Sequence, residues 1–340
     1  MKFYQTGGAT PTNPLILLAT GSSVNLVLEP IYSTAVLGYG WYNAASSSHY
    51  ADAAIRYEGG VDFEFQASAN VWNFIRDWAI EQRAYPRSLD ISPDGQRVYQ
   101  YWTTGAYDSV FDNYGAWATS LSMSTSEGSF VTSSVNVVAI YRTEGAAGDP
   151  YIQQRTGVIA SDAVVFGNTN PLNPGQANVD PIPFWKTNAN LLSTSTGDWG
   201  PDGAGGTPIQ TGLETVEWSI DLSNNQVVLY TCNGTRYPTA VLMGAIDATG
   251  SVTLYHNEGV FDPVDEGLTA ENTCFRVQIA TNAAGTNFVY VDLPAVVVEG
   301  DDFGIKGQSD VTTRGFSLKG LGGRIAGGVV YPPMVMSLAT

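Results

Sequence analysis

Residues 244–259 read GAIDATGSVTLYHNEG, and this stretch decides the fold. Its alternate positions fall into two sets, one apolar or small and one polar: Ile246, Ala248, Gly250, Val252 and Leu254 against Asp247, Thr249, Ser251, Thr253 and Tyr255. Successive side chains of a β-strand point to opposite faces of the sheet. A period of two therefore predicts a strand with one buried face and one wet face.

The same alternation recurs along the chain. It is clear at 61–66, at 216–223 and at 275–279, where Arg276 and Gln278 take the polar positions, and it is less strict in the run 129–142. The 37 glycines, with abundant Ser, Thr and Asn, fit short strands joined by turns. The sequence predicts a mainly β protein built from antiparallel sheets.

One segment has helical spacing instead. Val71, Phe74, Ile75 and Trp78 recur every three or four residues, and Pro86 marks the far end. This pattern predicts one short amphipathic helix near 69–82, with its apolar stripe packed on a sheet.

Composition excludes several classes of protein. No apolar run approaches the length of a membrane-spanning helix, and the Gly-, Pro- and Thr-rich N-terminal stretch is unlike a signal peptide, which favours retention in the compartment of synthesis. The net charge of -17 opposes tight binding to nucleic acid. Only two cysteines occur, Cys232 and Cys274, which excludes a disulfide scaffold.

Motifs of catalysis or metal binding are absent from the sequence. His49 and His256, the only histidines, have no second ligand at metal spacing. The stretch that starts at Asp90 begins like a calcium loop but has Tyr101 where the closing acid should be. We find no nucleophile elbow and no phosphate-binding loop. The sequence therefore predicts no catalytic residue, no metal site and no cofactor.

The composition of the chain changes between 143 and 183, where Pro, Gly and Asn interrupt any regular spacing of apolar residues. Such a stretch is typical of a linker. We therefore predict a first unit at 1–175, which contains the helix and the trailing linker, and a second unit at 176–340. The last 20 residues are apolar and rich in Gly and Pro, and predict an extended C-terminal arm that docks on a neighbouring chain.

The order of motifs resembles that of the tail tube proteins of tailed bacteriophages. In the second half the resemblance lies in VEWSIDLSNNQ (216–226), RYPTAVLMGAIDATGSVTLYHNEGVF (236–261) and NFVYVDLPAVVVEGDDFGIKGQ (287–308). In the first half, GVDFEFQASANVWNFI (60–75) places a strand before a helix, as tube modules do. The run 114–142 resembles the closing strand pair of such a module.

The resemblance implies two tandem tail-tube-like modules, each an antiparallel β-sandwich or barrel with a flanking short helix or turn. It further implies a non-enzymatic virion protein, assembled in the host cytoplasm, whose rings of three two-module chains or of six chains stack into the tail tube that conducts DNA. The implied partners are other copies of the chain, the tail terminator, baseplate and tape-measure proteins, and a sheath protein in a contractile tail. DNA would be transient cargo, and no membrane is involved.

In such a tube the polar strand faces would line the channel. The residues expected there are Asp62, Glu64, Glu217, Ser219, Asp221, Asp247, Thr249, Ser251 and Thr253. Period two alone does not distinguish a channel wall from a face that meets outer solvent. Two other classes also fit a chain of this kind: a virion-surface or baseplate β-sandwich that binds carbohydrate, and a glycan-cleaving enzyme with a carboxylate pair.

Overall fold

The computed structural model describes residues 2–4, 15–16, 18–32, 50–66, 71–72, 75–80, 96–104, 107–144, 155–156, 180–194, 199–201, 203, 205–208, 214–232, 234–242, 244–255, 269, 272–281, 287–304 and 313–339. Within these ranges the fold is mainly β, and every strand pairing is antiparallel. The predicted fold class is therefore confirmed. The strands form stacked sheets, and the described pairings do not close into a barrel.

The first half of the chain contributes strands β1 (Lys2–Tyr4), β2 (Leu15–Ile16), β3 (Leu18–Tyr32), β4 (Tyr50–Glu64), β5 (Gln96–Thr104), β6 (Tyr107–Ser126), β7 (Thr132–Glu144) and β8 (Arg155–Thr156). The second half contributes β9 (Thr187–Ser193), β10 (Thr207–Pro208), β11 (Thr215–Ser223), β12 (Val227–Leu229), β13 (Ala240–Leu242), β14 (Asp247–Tyr255), β15 (Thr273–Ala280), β16 (Phe288–Leu293), β17 (Val296–Gly304), β18 (Thr313–Gly320), β19 (Arg324–Ala326), β20 (Val329–Tyr331) and β21 (Val335–Ala339).

A twelve-stranded sheet dominates the structure. Eight of its strands lie side by side as one row, in the order β3-β4-β7-β6-β11-β14-β18-β17. The other four strands, β1, β2, β5 and β8, extend the sheet from the N-terminal half of β6. Strands from both sides of residue 175 thus share one sheet, and they join where β6 pairs with β11.

The row of eight strands repeats one order twice. In each group of four, numbered along the chain, the strands lie in the order first, second, fourth, third: β3-β4-β7-β6, then β11-β14-β18-β17. The two groups are related by a shift along the sheet, and β6 and β11 form the junction between them. Among the described strands, the row ends in β3 on one side and β17 on the other.

A five-stranded sheet, in the order β10-β9-β15-β16-β21, packs on the second group. The contact is close, since a Cβ built on Gly250 in β14 would lie 3.2 Å from Leu293 Cδ1 in β16. The core between the sheets comes from the apolar alternate positions predicted from the sequence, with Trp218, Ile220, Val252, Leu254, Phe275, Val277 and Ile279 all buried.

The helical segment predicted at 69–82 is described at 71–72 and 75–80. Val71 and Ile75 of the predicted stripe are buried, as expected of a helix packed on a sheet. Residues Arg76–Ile80 form a π-helix, where the spacing predicted regular α-helical turns. The Asn224 side-chain amide donates to the Ala79 carbonyl at 3.0 Å and to the Ala118 carbonyl at 2.9 Å, which links the helix, β6 and the end of β11.

The last part of the predicted C-terminal arm lies on its own chain, because β21 pairs with β16 from Asp292↔Val335 to Phe288↔Ala339. This pairing satisfies the backbone groups of the segment and buries Met336 in the core. Docking of the arm on a neighbouring chain stays a prediction. One core cluster holds residues from both sides of residue 175. The division of the chain into two units at that residue stays a prediction.

Candidate functional site

The residues predicted to face a channel all lie on the polar face of the eight-strand row. Cross-strand register brings them together: Asp221 lies opposite Thr249, Ser219 opposite Ser251, and Glu217 opposite Thr253. Asp62 and Glu64 reach the same face from β4, through Ser134 and Thr132 of β7. That this face lines a channel stays a prediction.

The face is uniform along two transverse rows, each made of residues that lie opposite one another on successive strands. One runs Asp62, Ser134, Ser122, Asp221, Thr249, Lys319, and the next runs Glu64, Thr132, Ser124, Ser219, Ser251, Ser317. Both cross the junction between β6 and β11 without a break. The serines of β6 and the hydroxyl groups of β7 on this face were not among the predicted residues, although the alternation in 117–126 and 131–137 indicates them.

The hydroxyl groups bond along the sheet surface. Ser219 Oγ lies 2.9 Å from Ser251 Oγ, and Asn136 Nδ2 donates to Ser120 Oγ at 2.8 Å. Short side chains bonded to their neighbours give a smooth polar surface with few long projections.

The charges on this face are mostly negative. Asp62, Glu217 and Asp221 are exposed, and no ion pair joins them to another described residue. Asp247 is paired, since Lys319 Nζ lies 2.6 Å from its Oδ1. Lys319 follows the alternation of β18 and could have been placed on this face from the sequence.

A hollow of about 860 Å³ opens on the polar face near β3 and β4. Its polar lining is Ser23, Asn25, Glu58, Asp62, Thr119 and Asn136. Gly60 leaves room on this face, since a Cβ on it would lie 2.8 Å from Asn136 Oδ1. The adjacent Gly59 lets β3 and β4 approach closely, since a Cβ on it would lie 1.7 Å from the Ser23 carbonyl oxygen. The transverse row that contains Gly60 reaches Asp247 in the second group, where a full side chain stands.

The five-stranded sheet carries a buried ion pair between Arg276 and Asp292. Arg276 Nε donates to Asp292 Oδ1 at 3.0 Å, and Trp199 Nε1 donates to Oδ2 at 2.9 Å. Arg276 Nη2 also donates to the Gly200 carbonyl at 2.7 Å, so the pair fastens Trp199 and Gly200 onto the sheet. Burial raises the pKa of Asp292 to about 6, and the hydrogen bonds from Arg276 oppose that rise.

This cluster is a structural clamp and not a reaction centre. Asp292 is 1% exposed and Arg276 5%, so no substrate reaches them in the folded chain. The neighbouring Cys274 is also buried, and burial raises the pKa of its thiol well above the usual value, which keeps it protonated and unreactive.

Among the described residues, no three His, Cys, Asp or Glu side chains are grouped so as to hold a metal ion. In the same part of the chain, no helix is long and apolar enough to cross a membrane. The two histidines, residues 90–95 and most of the 143–175 stretch lie outside the described residues. The rest of the stretch that begins like a calcium loop, residues 96–101, belongs to β5.

No protein-family model matches this sequence, and no curated protein shows significant similarity to it. The likeness to tail tube proteins therefore rests on the motifs quoted above.

Proposed function

We propose that this chain is a structural protein of a bacteriophage tail that assembles into stacked rings and forms the tail tube. The observation that carries the proposal is the row of eight strands. It repeats one four-strand order twice, has a continuous polar face, and ends in strands with a free edge on each side among the described pairings.

The junction inside the chain supplies a pattern for the junction between chains. In the repeated order, β17 holds the position of β6, and β3 holds the position of β11. A second copy placed by the same shift would pair its β3 with β17 of the first copy, antiparallel, as β11 pairs with β6. Such a contact joins different surfaces of the two chains, so repetition gives a closed ring or a continuing helix.

The repeated order favours three chains in a ring over six. Each chain contributes two groups of four strands, so three chains supply six groups with pseudo-sixfold symmetry. A ring of six chains would require one half to stay outside the barrel, although both halves lie in the same sheet row.

The polar face suits a channel for DNA. Hydroxyl groups bonded to their neighbours offer few groups to grip a passing polymer, and exposed carboxylates repel phosphates. In this assignment Asp62, Glu217 and Asp221 face the lumen. The proposed partners are further copies of the chain, together with the terminator, baseplate and tape-measure proteins of the tail and, in a contractile tail, the sheath protein.

Electron microscopy of concentrated protein tests the proposal directly, with hollow tubes or stacked rings of about sixfold symmetry as the expected result. Cysteine cross-linking tests the edges. In the repeated order Gly21 holds the position of Asp221 and Val297 that of Ser122, so these two residues should lie opposite one another between chains. The variant Gly21→Cys/Val297→Cys, with the exposed Cys232 changed to Ser, should form covalent species that end at the trimer. Either single-cysteine variant is the control and should stay monomeric, because the facing edge of the next chain then carries no cysteine and Cys274 is buried.

A ladder that continues to six chains would favour the six-chain ring. A chain that stays monomeric at every concentration and salt and binds glycans on an array would contradict the tube and favour the carbohydrate-binding class.

A further inference from the structure

We infer that acidic side chains at the two free edges of the row oppose ring closure at low ionic strength, so that salt controls assembly. This inference rests on the proposed function, because it concerns the junction between β17 of one copy and β3 of the next. The partner is a second copy of this chain, and the quantity controlled is its association constant.

The edge formed by β17 carries acidic side chains without a cationic partner among the described residues. Glu299 and Asp302 are exposed, and neither forms an ion pair with another described residue. Asp302 lies opposite Gly315, in the transverse row that contains Glu217, and so belongs to the polar face. Asp301 differs, because Arg314 Nε donates to it at 2.8 Å.

At the opposite edge the acidic side chains lie on β4, the neighbour of the edge strand β3. On the polar face β3 presents Ser23 and Asn25, while its neighbour β4 presents Asp62 and Glu64. Neither of these carboxylates is paired with a described cation, whereas Glu58 is paired with Arg56. When β3 of one copy meets β17 of another, acids therefore flank the junction from both sides.

The junction inside the chain is arranged differently. Across from Glu217 and Asp221 of β11 lie Ser126 and Ser122 of β6, and the next strand, β7, presents Thr132 and Ser134. Acids on β11 thus face two strands of hydroxyl groups. Within the paired residues of β6 and β11 no acid lies across from Glu217 or Asp221, and the nearest acid on the β6 side is Glu127 in the turn after the strand, whose backbone N–H donates to the Val216 carbonyl. The junction between molecules would instead have acids on strands at both of its sides.

The spacing makes this repulsion sensitive to salt. Neighbouring strands lie about 4.8 Å apart, so β17 and β4 would be about 10 Å apart with β3 between them. The Debye length is about 30 Å at 0.01 M salt and about 8 Å at 0.15 M, so the charges repel in dilute salt and are largely screened near cellular salt. Charged side chains on sheet edges are a common protection against uncontrolled pairing, and here they would keep newly made chains apart in dilute salt.

The experiment compares two double variants with equal loss of charge. Glu299→Gln/Asp302→Asn neutralises the edge, and Glu217→Gln/Asp221→Asn neutralises the same polar face at the inner junction. Mass photometry follows ring formation from 0.01 M to 0.5 M NaCl. We expect wild type and the inner variant to need similar salt, and the edge variant to form rings in 0.01 M salt at about tenfold lower protein concentration.

Rings that form equally well at 0.01 M and 0.5 M NaCl in wild type would overturn the inference and leave the proposed function intact. The same holds if the two variants shift the salt dependence equally. If millimolar Mg²⁺ replaces hundreds of millimolar NaCl, bound cation and not screening controls the edge, which also overturns it. The absence of rings in every variant and at every salt would contradict the proposed function itself.

Discussion

The two four-strand groups of the large sheet have the same strand order but different covers. The second group, β11-β14-β18-β17, is covered by a five-stranded sheet whose far side holds the buried pair Arg276–Asp292. The first group, β3-β4-β7-β6, packs against a short segment that includes the π-helix Arg76–Ile80. The row of strands and its polar face therefore recur in both groups, while the elements that cover each core differ.

The largest expected effect lies in the cover of the second group. Arg276→Met leaves Asp292 buried without its partner, and we expect the free energy of unfolding to fall by about 3 to 5 kcal/mol. The double variant Arg276→Met/Asp292→Leu should recover most of this loss, because no buried charge remains. Urea unfolding measures both, and a single variant as stable as wild type would show that the clamp does not hold this cover.

The next effect lies in the first group, where glycine allows β3 and β4 to approach closely. Gly59→Ala places a Cβ against the Ser23 carbonyl, so the strands must move, and we expect a loss of about 3 kcal/mol. The matched change in the second group is Gly250→Ala, whose Cβ would sit at 3.2 Å from Leu293 Cδ1 and should destabilise by about 1 kcal/mol. Equal losses for the two variants in urea unfolding would remove this difference between the groups.

The stability of the sheet that covers the second group should also depend on pH. Burial raises the pKa of Asp292 to about 6 in the folded state, above its value in the unfolded chain, so the folded state holds the proton more tightly. Its contribution to stability is complete below pH 4 and is lost as the pH rises through 6. Relative to Asp292→Asn, wild type should lose on the order of 2 kcal/mol between pH 4 and pH 7.

Chemical denaturation at several pH values measures that difference, and carbon NMR of the Asp292 carboxyl group gives the pKa directly. A carboxyl group that titrates near pH 4 would show that the Arg276 hydrogen bonds outweigh burial.

The smallest effect tests whether the polar face is alike in both groups. Ser219→Ala in β11 removes the 2.9 Å contact with Ser251, and Ser124→Ala in β6 removes the 3.4 Å contact with Thr132. Both sites are partly exposed, so each change should cost about 0.5 kcal/mol and leave the fold intact. A loss above about 2 kcal/mol at either position would mean that the hydroxyl row is part of what holds the sheet together.

Local pattern predicted the strands and their wet faces because period two is a property of consecutive residues. Asp221 and Thr249 could be placed on polar faces in this way, and they lie on one face as neighbours. The pairing of β6 with β11 could not be predicted, since it depends on contacts about 100 residues apart along the chain. For the same reason the alternation in β15 marked Arg276 as a solvent-facing residue, although its guanidinium is bound by the carbonyls of Gly200 and Gly205 and is buried.

The link between β6 and β11 also has a consequence for symmetry. In a ring of identical single modules, any side chain is repeated at every module. With two four-strand groups in one chain, equivalent positions can differ: the hollow beside Asn136 and the side chain of Asp247 lie in the same transverse row of one sheet, and Asp247 is paired with Lys319 of the adjacent row. In the proposed three-chain ring these two surfaces would alternate around the lumen. The side chains on the channel wall would then have threefold symmetry, while the strands that carry them have pseudo-sixfold symmetry.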